Sequence, residues 1–404
     1  MASSKWKSWE ELNIKLKDRR VIFWGASNWV ERTLNVFPVP PGYIVDNNPN
    51  NHGITYSGMT VYPPIKLREE DRTNVYIIVC TQNYPSVIDE LSELDFVMGD
   101  DYCITPLLNE RKAKDELKSV DTTVLVSSPQ HLFESDHGGG LYECHTLSGK
   151  VSKVYSGKVR GMAYVDDTLL IVDMLKGLVF LDRHYKVIDA LELASNCEAH
   201  GLFYDAKSGR LFVGQPGRDS IAIYSLKEKK LINEIFISGK WAKNKKDNHH
   251  VNDLLVHDNS LYVSVFSLSG NWMNDVYDGG ILEVDLETGQ PVGPVASGLW
   301  MPHSISRFNG RLCYVDSMRG ELFDTTWGRT GHFYSFIRGL DFDGRYYYVG
   351  ASEHRYPEKL NTDNISLDAG FYLFDPATKM SRFFPIPQTE AVHSIAVKSQ
   401  DNGS

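Results

Sequence analysis

The sequence predicts two folds in succession, a parallel, doubly wound α/β sheet over residues 1–106 and an all-β, six-bladed β-propeller over residues 122–404. Three observations carry this. Before residue 106, apolar strands alternate with helical stretches, the order that lays parallel strands side by side. After residue 122 the helical spacing gives way to short alternating strands. One phrase then returns six times, at Arg160, His200, His250, His303, Arg338 and His393, at intervals of 40, 50, 53, 35 and 55 residues, the range of one four-stranded blade.

The elements follow in order. Trp9, Leu12 and Leu16 stand at helical spacing, so a short amphipathic helix leads in. The run from Arg20 to Trp24 reads as a buried strand, closed by a turn at Gly25 and followed by a helix to Phe37. A second strand ends at Asp46; a third runs from Asn74 to Thr81, with a helix from Tyr84 to Phe96 after it. Such a sheet binds ligands outside the carboxyl ends of its strands, here Gly25 to Asn28, Asp46 to Asn48 and Thr81 to Asn83. An acid about 20 residues past the glycine turn is placed to read a ribose hydroxyl. The stretch Gly25 to Val30 keeps only the first glycine of G-x-G-x-x-G, however. The other use of such a sheet is docking or homo-oligomerisation.

Residues 20–106 resemble the small Rossmann-like domains attached to sugar-modifying enzymes of surface-polysaccharide and natural-product pathways. The resemblance rests on Val21 to Ala26, Ile44 to Pro49, Gly53 with Gly58, and Tyr76 to Thr81 followed by Tyr84. It implies a nucleotide or nucleotide-sugar site, with Gly25, Ser27, Asp46 and Asn48 as the binding residues.

Residues 107–121 are charged and helix-prone, without glycine or proline between Leu107 and Val120, and read as a helical linker. The propeller then begins with three strands near 123–127, 139–144 and 151–155, before the first repeat at Arg160. The last repeat, at His393, supplies an innermost strand with no successors. Residues 393–397 are therefore expected to pair with the blade begun at 122–155, closing the ring and removing its exposed edges.

Turns after each innermost strand are short, whereas the connections opening on the anchor residues are long. Anchors and long loops thus share one face, the candidate functional face. Three imidazoles converging there, from His200, His250 and His303, are a donor set for a divalent metal with open positions for water or substrate. Arg160 and Arg338 would hold a carboxylate, sulfate or phosphate, and His393 and His249 complete a catalytic group. A metal-free version uses an imidazole as general base or nucleophile, with the arginines stabilising negative charge. Glu198, Asn252, Asp173 and Asp316 lie close by in sequence, and Trp272 and Trp300 offer faces for a sugar ring.

Residues 122–397 also resemble an uncharacterised bacterial propeller family. The shared phrases are His250 to Asn252, Met301 to Ser304, Asn309 to Leu312 with Asp316-Ser317 and Gly320 to Leu322, and Arg338 to Leu340 with Val349-Gly350 and Ser352. Ile305-Ser306 departs from that family's Pro-Arg. The resemblance implies the fold and the ring residues as the site, and no reaction.

Composition narrows the function. A formal charge of −10 gives no attraction to phosphate backbones or anionic lipid, so nucleic-acid and membrane-surface roles are disfavoured. The 42 % of apolar residues includes no run long enough to span a bilayer, and the N-terminus is not that of a signal peptide. Five scattered cysteines without a Cys-x-x-Cys pair point to reduced thiols in a cytoplasm. The expectation is a metal-assisted lyase, epimerase or hydrolase acting on an anionic carbohydrate or related small molecule. The alternative is a ligand-binding or scaffold protein of the same kind of pathway.

Overall fold

The computed structural model describes residues 6–37, 41–129, 138–325, 328–354, 356–359, 364–387 and 389–398. The chain divides into two compact units, Met1–Glu116 and Leu117–Ser404.

In the first unit, helix α1 (Trp9–Lys15) starts from a reciprocal cap in which Ser8 and Glu11 each satisfy the other's backbone N–H. Strands β1 (Arg20–Trp24), β2 (Pro41–Val45), β3 (Thr55–Tyr56), β4 (Met59–Tyr62), β5 (Val75–Val79) and β6 (Tyr102–Ile104) form one sheet in the order β3-β4-β2-β1-β5-β6. β1 runs parallel to β2 and β5, β4 to β2, and β6 to β5. The expected wholly parallel sheet is nevertheless corrected to a mixed one, because β3 and β4 form an antiparallel hairpin. Its turn, Ser57-Gly58, has φ of 48° and 78°, and two positive φ values define the tight turn that suits the twist of a hairpin. Helices α2 (Asn28–Val36) and α3 (Tyr84–Glu93) follow β1 and β5. Val21, Phe23, Ile44, Tyr76 and Ile78 pack one apolar cluster; Ile22, Trp24, Val45, Ile77 and Val79 pack another. Adjacent residues of one strand thus fill different clusters, as period-two side chains on a sheet buried on both faces must. Helix α4 (Asn109–Lys118) crosses the boundary between the units.

The second unit is a six-bladed propeller of four-stranded antiparallel sheets. The innermost strands are Val159–Val165, Leu202–Asp205, Val251–His257, Pro302–Phe308, Phe336–Phe342 and Ser394–Val397. We number the blades one to six in that order. In blade six, Ser394–Val397 pairs with Thr123–Ser128, so residues 267 positions apart are neighbours: Ser394 N–H donates to Ser127 Oγ at 2.9 Å.

Successive blades are tied at their inner ends. Gly161 N–H donates to His200 O at 3.0 Å, and Gly201 N–H to Asn252 O at 3.1 Å. Ser304 N–H donates to Asp253 Oδ2, and Gly339 N–H to Ser304 Oγ, both at 2.7 Å. Val397 N–H donates to Asp341 Oδ2, and Ser127 Oγ to Arg160 O, which completes the circuit. Buried backbone donors that would otherwise lack a partner thereby fix the register of the whole ring.

Candidate functional site

The anchors sit where the innermost strands begin, and local backbone irregularity aims them. In blades one, three, four and five the ladder slips just after Val159, Val251, His303 and Ile337. The bulged residues are Arg160-Gly161, Asn252-Asp253, Ser304-Ile305 and Arg338-Gly339. Structural equivalence therefore runs Arg160, Asn252, Ser304, Arg338. The six-fold phrase assigned His250 and His303 to that position; they stand two and one residues earlier. Backbone compensates: His250, Met301 and Ser304 carry positive φ of 53°, 52° and 56°, a conformation that costs non-glycine residues energy and concentrates at functional sites.

Despite the shift, five of the six anchors line one cavity of about 140 Å³: Arg160, His200, His250, His303 and Arg338. Glu198 and Asn252 join them, and Phe266, Trp272, Met301, Phe336 and Tyr356 supply an apolar wall. His393 is buried behind this lining. Its ring stacks on His200 with centroids 5.5 Å apart and stands edge-on to His303 at 6.5 Å.

His250 is the most tightly oriented imidazole. Its Nδ1 lies in a short contact with Asp247 Oδ2, and its backbone N–H donates to Asp247 Oδ1 at 2.9 Å. Trp272 Nε1 donates to the same Asp247 Oδ2 at 3.1 Å, and the rings of Phe266 and Trp272 pack on the imidazole at 4.3 and 4.6 Å. A carboxylate at Nδ1 assigns the proton there and leaves Nε2 as the basic nitrogen. Asp247 comes from the connection between blades two and three. There Asn244 and the carbonyl of Lys246 hold Asn248, whose own carbonyl accepts from Trp272 N–H. Asp247 was not singled out in the sequence; an acid three residues ahead of an anchor histidine is the signal that identifies it.

His303 Nδ1 lies 2.9 Å from Met301 O and 2.7 Å from Ser317 Oγ. A carbonyl only accepts, so Nδ1 carries its proton. Arg160 Nη1 donates to Glu198 O at 2.8 Å and Ala199 O at 3.2 Å, and lies 3.4 Å from His200 Nδ1. Arg338 is buried, with its guanidinium over the Phe336 ring at 5.4 Å. Asn252 is fully buried; its amide donates to His250 O, and its Oδ1 has no donor among the described residues. An orphaned acceptor in a cavity wall asks for a donor from whatever occupies the cavity.

Burial holds the His200 imidazole well below its ordinary value, and the Arg160 guanidinium and neighbouring imidazoles reinforce the effect. Desolvation pushes the Asp253 carboxyl up to about 6, against the pull of Arg338. The sign for His200 is definite. An imidazole that is neutral when folded but protonates near 6.5 when unfolded gives stability that is complete above that pH and is lost as pH falls below it. His200→Asn should therefore flatten the acid side of the stability profile by up to about 1.4 kcal/mol per pH unit. Chemical denaturation at about pH 5, 6 and 7 measures it; an unchanged slope would show that His200 protonates in the folded state.

Other expectations fare differently. His249 does not line the cavity; it is buried beneath Gly270, with Nδ1 3.8 Å from Asp219 Oδ2, and desolvation pushes it down to about 4. Nor do His200, His250 and His303 make the expected metal set. Among the described residues no three His, Cys, Asp or Glu side chains are grouped to hold a metal ion. The Nδ1 atoms of His250 and His303 face Asp247 and Met301, which leaves their Nε2 atoms as the available nitrogens, and the His200 and His250 rings meet edge to face at 5.2 Å. Of the flanking residues, Glu198 lines the cavity and Trp300 does not; Arg355, in the long loop after Ser352, lies outside the described residues.

In the first unit, Gly25, Ser27, Asp46 and Asn48 come together at the ends of β1 and β2. Ala26 N–H donates to Asp46 Oδ2 at 2.6 Å, Asn48 N–H to Asp46 Oδ1 at 2.7 Å, and Ser27 Oγ to Cys80 O at 2.7 Å. Ser27 also caps α2 by accepting from Trp29 N–H. The Asp46 carboxylate thus occupies the turn amide that a phosphate would use.

All five cysteines are free and buried. No helix among the described residues is long and apolar enough to cross a membrane. No curated protein matches the chain. Among solved structures, a protein of unknown function from Bacteroides caccae is similar at 11 % identity and a TM-score of 0.50, covering 70 % of this chain and 100 % of that one. The structure titled as a nidogen/laminin complex has 15 % identity and a TM-score of 0.49, covering 68 % of this chain and 98 % of that one. At such identities the Bacteroides caccae match speaks to fold alone. Residues 196–372, which hold His200, His250, His303 and Arg338, match the family model described as Domain of unknown function (DUF4915).

Proposed function

We propose that the axial cavity binds a small anionic, hydroxylated molecule, a sugar acid or close relative, and that His250 moves a proton on it. Asp247 fixes the imidazole and stabilises its protonated form; Arg160 and Arg338 hold the ligand's negative charge as it develops. The chemistry this suits is proton abstraction beside a carboxylate, the opening step of an epimerase or lyase, with hydrolysis as the neighbouring use of the same acid–base pair. The observation that carries the reading is the Asp247–His250 pair in one cavity with two guanidiniums and an orphaned Asn252 oxygen. A volume of about 140 Å³ limits the enclosed part to something the size of one sugar ring.

We read the N-terminal sheet as Rossmann-like, supported by its parallel core strands and the Gly25 turn leading into α2. It serves a nucleotide portion or self-association, in a cytoplasmic surface-polysaccharide or natural-product pathway.

The test is incubation with glucuronate and galacturonate, free and as phosphate or nucleotide conjugates, in deuterated buffer, followed by proton NMR. Loss of the signal from the carbon bearing the carboxylate is expected. A ligand that raises the thermal midpoint, is recovered intact, and no longer does so with Arg338→Ala would instead make the cavity a binding site without turnover. No exchange and no shift across the panel would overturn the proposal.

A further inference from the structure

We propose that a cleft beside the axial cavity is a second binding site, and that it takes a nucleoside diphosphate. The inference rests on the reading of the axial cavity as a sugar site, and extends it to the group attached to that sugar. The cleft, of about 510 Å³, lies among the long connections of blades four and five. Its lining adjoins that of the axial cavity. Trp300 lines the cleft and its neighbour Met301 the cavity; His354 lines the cleft and Tyr356 the cavity. Trp300, Met301, Met318, Phe336 and Tyr356 share one apolar cluster, so the boundary between the two sites is built mainly of aromatic rings and thioethers.

The chemistry of the cleft is cationic in a chain whose net charge is −10. Arg319, Arg329 and Lys359 line it, against one carboxylate among the described lining residues, Glu321. Each cation already has a partner: Arg319 holds Asp316 at 3.0 Å, Arg329 holds Glu321 at 2.7 Å, and Lys359 donates to Tyr277 Oη at 2.8 Å. Arg329 and Lys359 remain 61 % and 30 % exposed, and pairs on such open side chains are weak, so an anion of higher charge can recruit their donors. Arg319, 40 % exposed, stays on the fully buried Asp316 and adds its charge. Two planar guanidiniums and an ammonium suit a diphosphate, which offers many acceptor oxygens. Tyr334 lines the same cleft and is 54 % exposed, with its ring edge-on to His332, which leaves a flat surface for a base. The two volumes divide as a nucleotide sugar divides, the smaller for the sugar and the larger for the nucleoside diphosphate.

Isothermal titration of the full chain with UDP tests this. UDP is expected to bind in the cleft, and Arg329→Ala and Lys359→Ala should each weaken it about tenfold. No UDP binding, or binding that neither substitution changes, would overturn the proposal; the second result would place UDP elsewhere in the chain. Binding of digalacturonate but not UDP, sensitive to Arg329→Ala, would replace the nucleotide with an acidic oligosaccharide. UDP-glucuronate reports separately on the axial cavity: it should bind more tightly than UDP, and no more tightly once Arg338 is alanine. Equal affinity in the unaltered protein would sink the axial reading while leaving the cleft a diphosphate site.

Discussion

Replacing His250 with alanine should lower turnover by about a thousandfold, and Asp247→Asn by about a hundredfold, with the fold intact in both. The difference follows from the geometry. Without the imidazole the oriented proton carrier of the cavity is gone, whereas the amide put in place of the Asp247 carboxylate would still offer an oxygen to Nδ1 but could not stabilise the protonated ring. The asparagine variant should therefore lose kcat with little change in KM. Rates of deuterium incorporation into the sugar acid measure both. If His250→Ala exchanges as fast as the unaltered protein, His250 is a wall residue and the acid–base assignment falls.

The second large effect belongs to Gly161. A Cβ added there would meet His200 O at 2.4 Å and Leu202 N at 3.0 Å, both backbone atoms of the next blade. Backbone cannot swing aside as a side-chain tip can, so Gly161→Val must push two innermost strands apart. It would also strain the bond from Gly161 N–H to His200 O, one of the links in the ring. A loss of about 3 kcal/mol is expected, larger than most single substitutions cause. Gly310→Ala is the contrast: a Cβ there meets no described atom within 4 Å, though its φ of 80° limits the comparison to strain alone. Denaturant midpoints for the two would show whether blade-to-blade contact or turn conformation sets stability near the axis. Equal, small losses would mean that the ring is more compliant than its packing implies.

The propeller was legible because its repeat is chemical as well as spatial. Arg160, His200, Arg338 and His393 stand at strand entrances in the spacing of a blade, and a cation or imidazole at such a position is visible in the sequence alone. The exact register was not. In blades three and four, Asn252 and Ser304 take the equivalent position, because a bulge and residues with positive φ carry His250 and His303 to the cavity from earlier in the chain. Backbone of that kind leaves no mark in a hydrophobic pattern. That no three His, Cys, Asp or Glu side chains group for a metal among the described residues was not legible either, because counting imidazoles does not show how their rings are turned. His249 beside His250 was equally ambiguous. Adjacent residues at a strand entrance point to opposite sides, and only the packing of Gly270 on the His249 ring decides which one faces inward. In the first unit the alternation of strands and helices was readable, but the Ser57-Gly58 hairpin that makes its sheet mixed was not separated from a loop.

The pairing of Ser394–Val397 with Thr123–Ser128 has a consequence for how the molecule is made. Blades one to five can each assemble from a continuous stretch as it leaves the ribosome, but blade six must wait, its three early strands held ready while some 240 residues are added. Until then Thr123–Ser128 presents an unpaired edge to every other nascent chain nearby. Closing so long a loop is slow, so this protein's yield should depend on chaperone supply and growth temperature more than its final stability would suggest.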